Sequence, residues 1–285
     1  AKMKEYIDKK RSKRPELNLE PAQAYNKKAI QLYKWFIRDY PKDEKVDQAL
    51  FFLGYNYFEL GQSKTGSQYY SQLTKKFPRS FYNEEAAFAL GEYYFENEKY
   101  KTALPYYHKV AKNRRGRLFS FSMYKLAWTQ YKLGQMSSAL RSLEKVIRAG
   151  KEKGGSSGPS RLRLASEASK DLVVFYAEAG KPENARRYFD ELVGAKKGRE
   201  LIEKLAYFYA DSGNRKAAQE IFSSLIDENP QSEKAFEYQY QIVSLYATSS
   251  TSNEFRGELF EWLNNYGPGS QWQKSNWPFR RSYRS

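Results

Sequence analysis

From Asp47 to Arg117 the chain repeats one arrangement of large, small and polar positions. LGYNYFELGQSKTGSQYYSQLTKKFP is followed by LGEYYFENEKYKTALPYYHKVAKNRR. In each copy a Leu-Gly pair (Leu53-Gly54, Leu90-Gly91) leads to a tyrosine three residues on (Tyr57, Tyr94). A small residue (Gly66, Ala103), an aromatic four further (Tyr70, Tyr107) and an aliphatic three after that (Leu73, Val110) complete the copy. Apolar spacings of three and four predict two successive amphipathic helices per copy. Small positions let the two helices approach, while large ones fill the space between neighbouring hairpins.

With Leu53 written as position seven, the same register recurs at Leu53, Leu90, Leu126, Leu172, Leu205 and Ile242. Four residues later stand Tyr57, Tyr94, Gln130, Tyr176, Tyr209 and Tyr246. The small residue opening the second helix is Gly66, Ala103, Ala139, Ala185 or Ala218, and the sixth copy is degenerate, with Phe255 there. Gly61, Gly134, Gly180 and Gly213 fall where the first helix should end in a left-handed turn; Glu98 and Ser250 break that rule.

Units start near Asp47, Glu84, Ser120, Ser166, Arg199 and Phe236, with steps of 37, 36, 46, 33 and 37 residues. Pro41, Pro78 and Pro230 close three of the hairpins. The predicted organisation is a basic arm over 1–20, a capping helix or half repeat over 21–46, and hairpins one to three over 47–149. A Gly/Ser loop over 150–160, hairpins four to six over 161–266 and an aromatic-basic tail over 267–285 follow. The capping helix carries Ala29, Tyr33 and Phe36 on one face and stops at Pro41. It reads as the second helix of a repeat whose first helix is missing or irregular.

These six tandem agreements resemble the tetratricopeptide repeat, a helix-turn-helix unit of about 34 residues. The resemblance covers about Ala22 to Trp262 and implies an all-α, right-handed superhelical solenoid of about six hairpins, with the capping helix in front and an extended tail behind. The closing phrase Pro-x-Ser (Pro78–Ser80, Pro230–Ser232) and the 36–37 residue step are similar to a bacterial envelope branch of the family. That branch holds the outer-membrane β-barrel assembly lipoprotein, the Tol-associated periplasmic coordinator and gliding-motility repeat proteins, all scaffolds. The chain departs from it in lacking the lipoprotein's N-terminal Cys and in having no Pro at the third and fourth closings. The location this implies is periplasmic or outer-membrane associated, with the cytoplasm as the alternative.

The resemblance further implies that positions two, five, nine and twelve of each first helix line a concave groove. The candidate partner-binding residues are Phe51, Tyr55, Phe58, Phe88, Glu92, Tyr124, Lys125, Trp128, Tyr131 and Lys132. Rigid rings in a trough suit an extended or helical peptide; the competing reading packs several of them inside the array. The chaperone-type carboxylate clamp needs Lys and Asn at positions five and nine of its first repeat, where this chain has Phe51 and Tyr55.

Composition narrows the classes. The net charge of +16 favours acidic partners. Lys109, Lys112, Arg114, Arg115 and Arg117 form the densest internal cluster, read as a solvated turn or as a contact for an acidic or phosphate group. Zero Cys and one His, His108, leave no thiolate or His-based metal site and no nucleophile-base arrangement, so no enzyme, cofactor or small-molecule substrate is expected. No apolar run is long enough to span a bilayer, and Ala1 in place of Met reads as a processed or trimmed start. In the tail, Trp272, Trp277, Phe279, Arg280 and Arg281 alternate rings with charge. Folding back on the last hairpin or insertion into a partner is the leading reading, ahead of single-stranded nucleic acid or a membrane surface. The function expected is a non-enzymatic scaffold for protein partners within a multiprotein envelope complex, meeting a membrane surface only through a partner. A nucleic-acid-binding or cell-wall glycan-associated protein is the alternative.

Overall fold

The computed structural model describes residues 20–151, 159–247 and 252–276. Among the described residues the chain forms fourteen α-helices and no strand. Helix α1 (Glu20–Asp39) comes before six helix pairs among the described residues. These are α2 (Val46–Glu59) with α3 (Ser63–Lys76), α4 (Asn83–Glu96) with α5 (Tyr100–Val110), and α6 (Phe119–Lys132) with α7 (Met136–Lys151). Then come α8 (Pro159–Ala179) with α9 (Ala185–Val193), α10 (Ala195–Asp211) with α11 (Arg215–Glu228), and α12 (Glu233–Tyr246) with α13 (Asn253–Tyr266). A short helix α14 (Gln271–Asn276) follows.

The chain divides into two compact units, residues 1–113 and 114–285. The division does not fall at the Gly/Ser segment expected to be a loop over 150–160. Gly150 and Lys151 belong to α7, Pro159 and Ser160 to α8, and α7 packs directly on α8. The rest of that segment, and all of the basic arm except Glu20, lie outside the described residues.

In the first unit the hairpins are held by one recurring device. Tyr70 of α3 lies flat under Gly54 of α2, where an added Cβ would meet the ring's Cε1 at 2.6 Å. Tyr107 of α5 does the same under Gly91 of α4, at 2.7 Å. Position eight is therefore glycine because the tyrosine of the second helix takes the space that any side chain would need. Around Tyr70, Val46, Leu50, Leu73, Ala86 and Leu90 form a continuous core, and each fully buried leucine contributes roughly 1.5–3 kcal/mol by leaving water. Ile30, the buried residue of α1, joins Leu53 and Tyr57 and so seats the capping helix.

The second unit is centred on Leu143, Leu172, Phe175, Phe189, Leu205 and Phe222, all fully buried. Gln130 stands where most copies have tyrosine. Instead of a ring it presents a carbonyl oxygen that accepts from Ser142 Oγ at 2.7 Å, closing hairpin three by a buried polar contact. Ser232 of the Pro-x-Ser phrase caps α12, its hydroxyl accepting from the Ala235 amide at 3.2 Å.

Two turn expectations change. Gly61, Gly134 and Gly213 take the left-handed conformation, but Gly180 does not; its missing side chain makes room for the Tyr176 ring, which a Cβ would meet at 2.4 Å. Glu98, expected to break the rule, adopts the turn itself with φ of 57°. The tail also needs correction. Residues 271–276 are helical rather than extended.

Candidate partner-binding faces

In the first unit the groove candidates divide by what holds them. Phe51 stacks on Tyr82 at 4.8 Å and touches Tyr70, so it belongs largely to the packing between hairpins one and two. Phe58 stacks on Tyr70 and fills the space over Gly66, where a Cβ would meet it at 2.6 Å. Phe88 lies edge-on to Tyr107. These three rings are half-buried, while Tyr55 is 47% exposed.

Carboxylates gather around these rings. Glu59 stands beside Tyr55 and, by its charge, raises the phenol's pKa. Burial, with the nearby Tyr55, Glu85 and Glu59, keeps the Tyr70 hydroxyl far above its ordinary pKa. Tyr107 donates to Glu92 Oε1, and burial together with Glu92 and Glu96 keeps it likewise protonated. Glu59 and Glu96 both occupy position thirteen of their repeats. The two tyrosines that slip beneath the glycines thus bring their hydroxyls out among the acids of the first-helix face.

Of these acids Glu92 is among the candidate groove residues, and Glu85 stands at position two of its repeat, one of the positions expected to line the groove. Glu85 opens a helix and is accounted for there by the helix dipole. The thirteenth position shared by Glu59 and Glu96 is the signal that could have joined them into one group.

In the second unit Tyr124, Trp128 and Tyr131 are half-buried and tied to the next hairpin. Asp171 of α8 accepts from Tyr124 Oη at 2.6 Å and from Trp128 Nε1 at 3.3 Å. Burial and this carboxylate push the Tyr124 pKa up to about 12. Trp128 meets Phe175 edge-on at 5.1 Å, and Tyr131 stacks on the same ring at 4.9 Å. Three candidate rings thus serve as joints between α6 and α8, leaving part of each surface open. Lys132 is exposed and Lys125 half-buried.

Along the sequence the residues of the basic cluster are divided between the two units. Lys109 and Lys112 end the first, Arg114, Arg115 and Arg117 begin the second, and all five are exposed, as is His108. Trp272 packs back on hairpin six. Its Nε1 donates to the Ser232 carbonyl at 2.6 Å, its ring stacks on Phe236 at 5.3 Å, and Tyr266 meets it edge-on. Trp277, Phe279, Arg280 and Arg281 lie outside the described residues.

Tetratricopeptide repeat profiles match residues 48–80, 124–200 and 202–232. A search of curated proteins returns no match. Among solved structures, the chain is similar to a tetratricopeptide repeat protein from Parabacteroides merdae ATCC 43184. That likeness is 17% identity over 75% of this chain and 78% of that one, with a TM-score of 0.44. A Podosopora anserina putative kinesin light chain with nearly identical TPR-like repeats aligns at 16% identity over 78% of this chain and 95% of that one, with a TM-score of 0.40. The TPR2AB domain of yeast Sti1, solved as a pHSP90 complex, aligns at 14% identity over 78% of each chain, with a TM-score of 0.38. The repeated register, the paired helices it builds and the profiles that match them agree, and the chain is a tetratricopeptide repeat protein.

Proposed function

We propose that the protein is a non-catalytic scaffold that holds a segment of a protein partner on the first-helix faces of its hairpins. The observation that carries this reading is Tyr55, a large ring left 47% exposed on the face predicted to bind, with Glu59 beside it. Glu85, Glu92 and Glu96 continue the negative charge along the same two hairpins. In the first unit the partner is therefore a Lys- or Arg-containing segment, whose cations meet carboxylates and ring faces together. This runs against the +16 net charge of the chain, so a cationic segment gains nothing from long-range attraction and must be recognised locally. Lys125 and Lys132 give the second unit's face the opposite character and suit an acidic stretch.

A labelled Lys/Arg peptide containing one aromatic residue, titrated by fluorescence polarisation, tests the reading. Binding should weaken about tenfold in E59Q/E85Q, about 1.4 kcal/mol, and stay unchanged in K101Q on the second helix. Equal binding by all three proteins would remove the first-helix face as the site.

The envelope location belongs to this proposal. It is supported by the Pro-x-Ser closings and the 36–37 residue step; fractionation of the native cell, with the protein recovered only in the cytoplasm, would exclude it. The second reading, an anionic partner such as nucleic acid, is favoured by the net charge alone. An oligonucleotide titration at two salt concentrations separates the two, because phosphate binding weakens steeply with salt.

A further inference from the structure

The capping helix α1 uses one face to seat on the first hairpin through Ile30, Tyr33, Phe36 and Ile37. Its other side carries a second stripe. Tyr25, Lys28, Leu32, Trp35 and Asp39 follow one another at intervals of three, four, three and four residues, so they share one face of the helix. Tyr25 is 71%, Leu32 64% and Trp35 47% exposed. Leu32, Trp35 and Phe36 also border a recess of about 370 Å³ shared with Lys45, Gln48 and Ala49 of the first hairpin. That volume falls within the range, about 300–1,000 Å³, of recesses that accept organic groups. Large apolar side chains in a continuous stripe on a water-facing helix mark a docking surface.

We infer that the occupant is a second copy of this chain, joined through α1 in an antiparallel, two-fold helix pair. The stripe is complementary to itself. Centring the pair between Leu32 and Trp35 sets Leu32 against Trp35 of the partner subunit and Lys28 against Asp39 of the partner subunit. Two-fold symmetry produces each contact twice. The apolar pair then occupies the middle and an opposite-charge pair closes each end, with the recess next to Leu32 open to the incoming indole. In the single chain both Asp39 oxygens accept from Arg38, at 2.6 and 3.0 Å, with both side chains facing solvent, so each oxygen keeps a lone pair for a second cation. Lys28 stands 6.0 Å from the Tyr25 ring, at the same end of the stripe. Lys27, Lys34 and Arg38 lie to one side of the contact and oppose association, so the dimer is weak and concentration-dependent.

Light scattering on the full chain, from low to several hundred micromolar, tests the inference. The wild-type mass should rise toward twice the monomer value, and L32K should stay monomeric with an unchanged thermal unfolding midpoint. K28D and D39K should each weaken association about tenfold, and the double variant K28D/D39K, which exchanges the two charges, should recover it. A wild-type monomer at every concentration would overturn the inference, whether chain N-terminal to Glu20 or water covers the stripe. So would a dimer that survives L32K, or a double variant no better than the single ones.

Discussion

Gly54 and Tyr70 compete for one volume: a Cβ on Gly54 would stand 2.6 Å from the tyrosine ring, too close for any side chain. G54A should therefore cost about 2 kcal/mol, the scale of overpacking a filled core, and G91A about the same against Tyr107. Gly61 is the control. It has φ of 72° and no atom near its missing Cβ, so G61A adds only backbone strain, about 1 kcal/mol. Urea unfolding of the three variants checks the order, and a Gly54/Tyr70 double-mutant cycle should show that the cost of G54A largely vanishes in Y70A.

Asp171 serves two donors from the neighbouring hairpin, Tyr124 and Trp128. D171A leaves both half-buried groups without their acceptor and should destabilise the second unit by about 2 kcal/mol. Y124F, which removes one donor and leaves Asp171 paired with Trp128, should cost about 1 kcal/mol. Hydrogen exchange distinguishes the units, since amides within residues 20–110 should be unaffected by either change.

Repeat period, helix pairing and the fold class were legible in the Leu-Gly-to-Tyr register because those residues make contacts within one hairpin, at fixed sequence spacing. The Gly180 and Glu98 turns were not. A glycine can be required for a turn or for the passage of a ring, and the letter does not say which; Glu98 bears the left-handed strain because the hairpin on either side fixes the turn. The joints at Asp171 and Trp272 join residues about forty apart, through hydrogen bonds that follow from how one hairpin stacks on the next. No pattern along the chain carries that. For the first-helix faces, the rings were visible at positions five and nine, but how far each is consumed by packing depended on neighbours such as Phe175 and Tyr82.

Trp272 closes hairpin six by stacking on Phe236 and donating to the Ser232 carbonyl. W272A should cost about 3 kcal/mol, the lower end of the range for emptying a buried tryptophan site. The loss should be local. Faster exchange is expected in α12 and α13, with α8 and α9 unchanged.

Glu258 of α13 sits between Gln219 and Gln239, accepting from their amides at 2.6 and 2.8 Å. Burial raises its pKa, an effect that the two hydrogen bonds partly oppose. The folded state therefore holds this proton more tightly than the unfolded chain. Stability is greatest below the ordinary glutamate value and falls as pH rises through the elevated one. E258Q should flatten that slope, and melting curves of both proteins between pH 4 and pH 7.5 should converge at the acid end.

The proposed seat of a partner segment, the first-helix face of the first unit, can be probed in the cell. A photo-reactive benzoyl-phenylalanine replacing Tyr55, irradiated in the native cell and mapped by mass spectrometry, tests it most directly. The expected result is an adduct to a discrete protein segment bearing Lys or Arg, lost when E59Q/E85Q is introduced in the same chain. Adducts forming equally well from a photo-reactive residue at Lys101, or persisting unchanged in E59Q/E85Q, would contradict it.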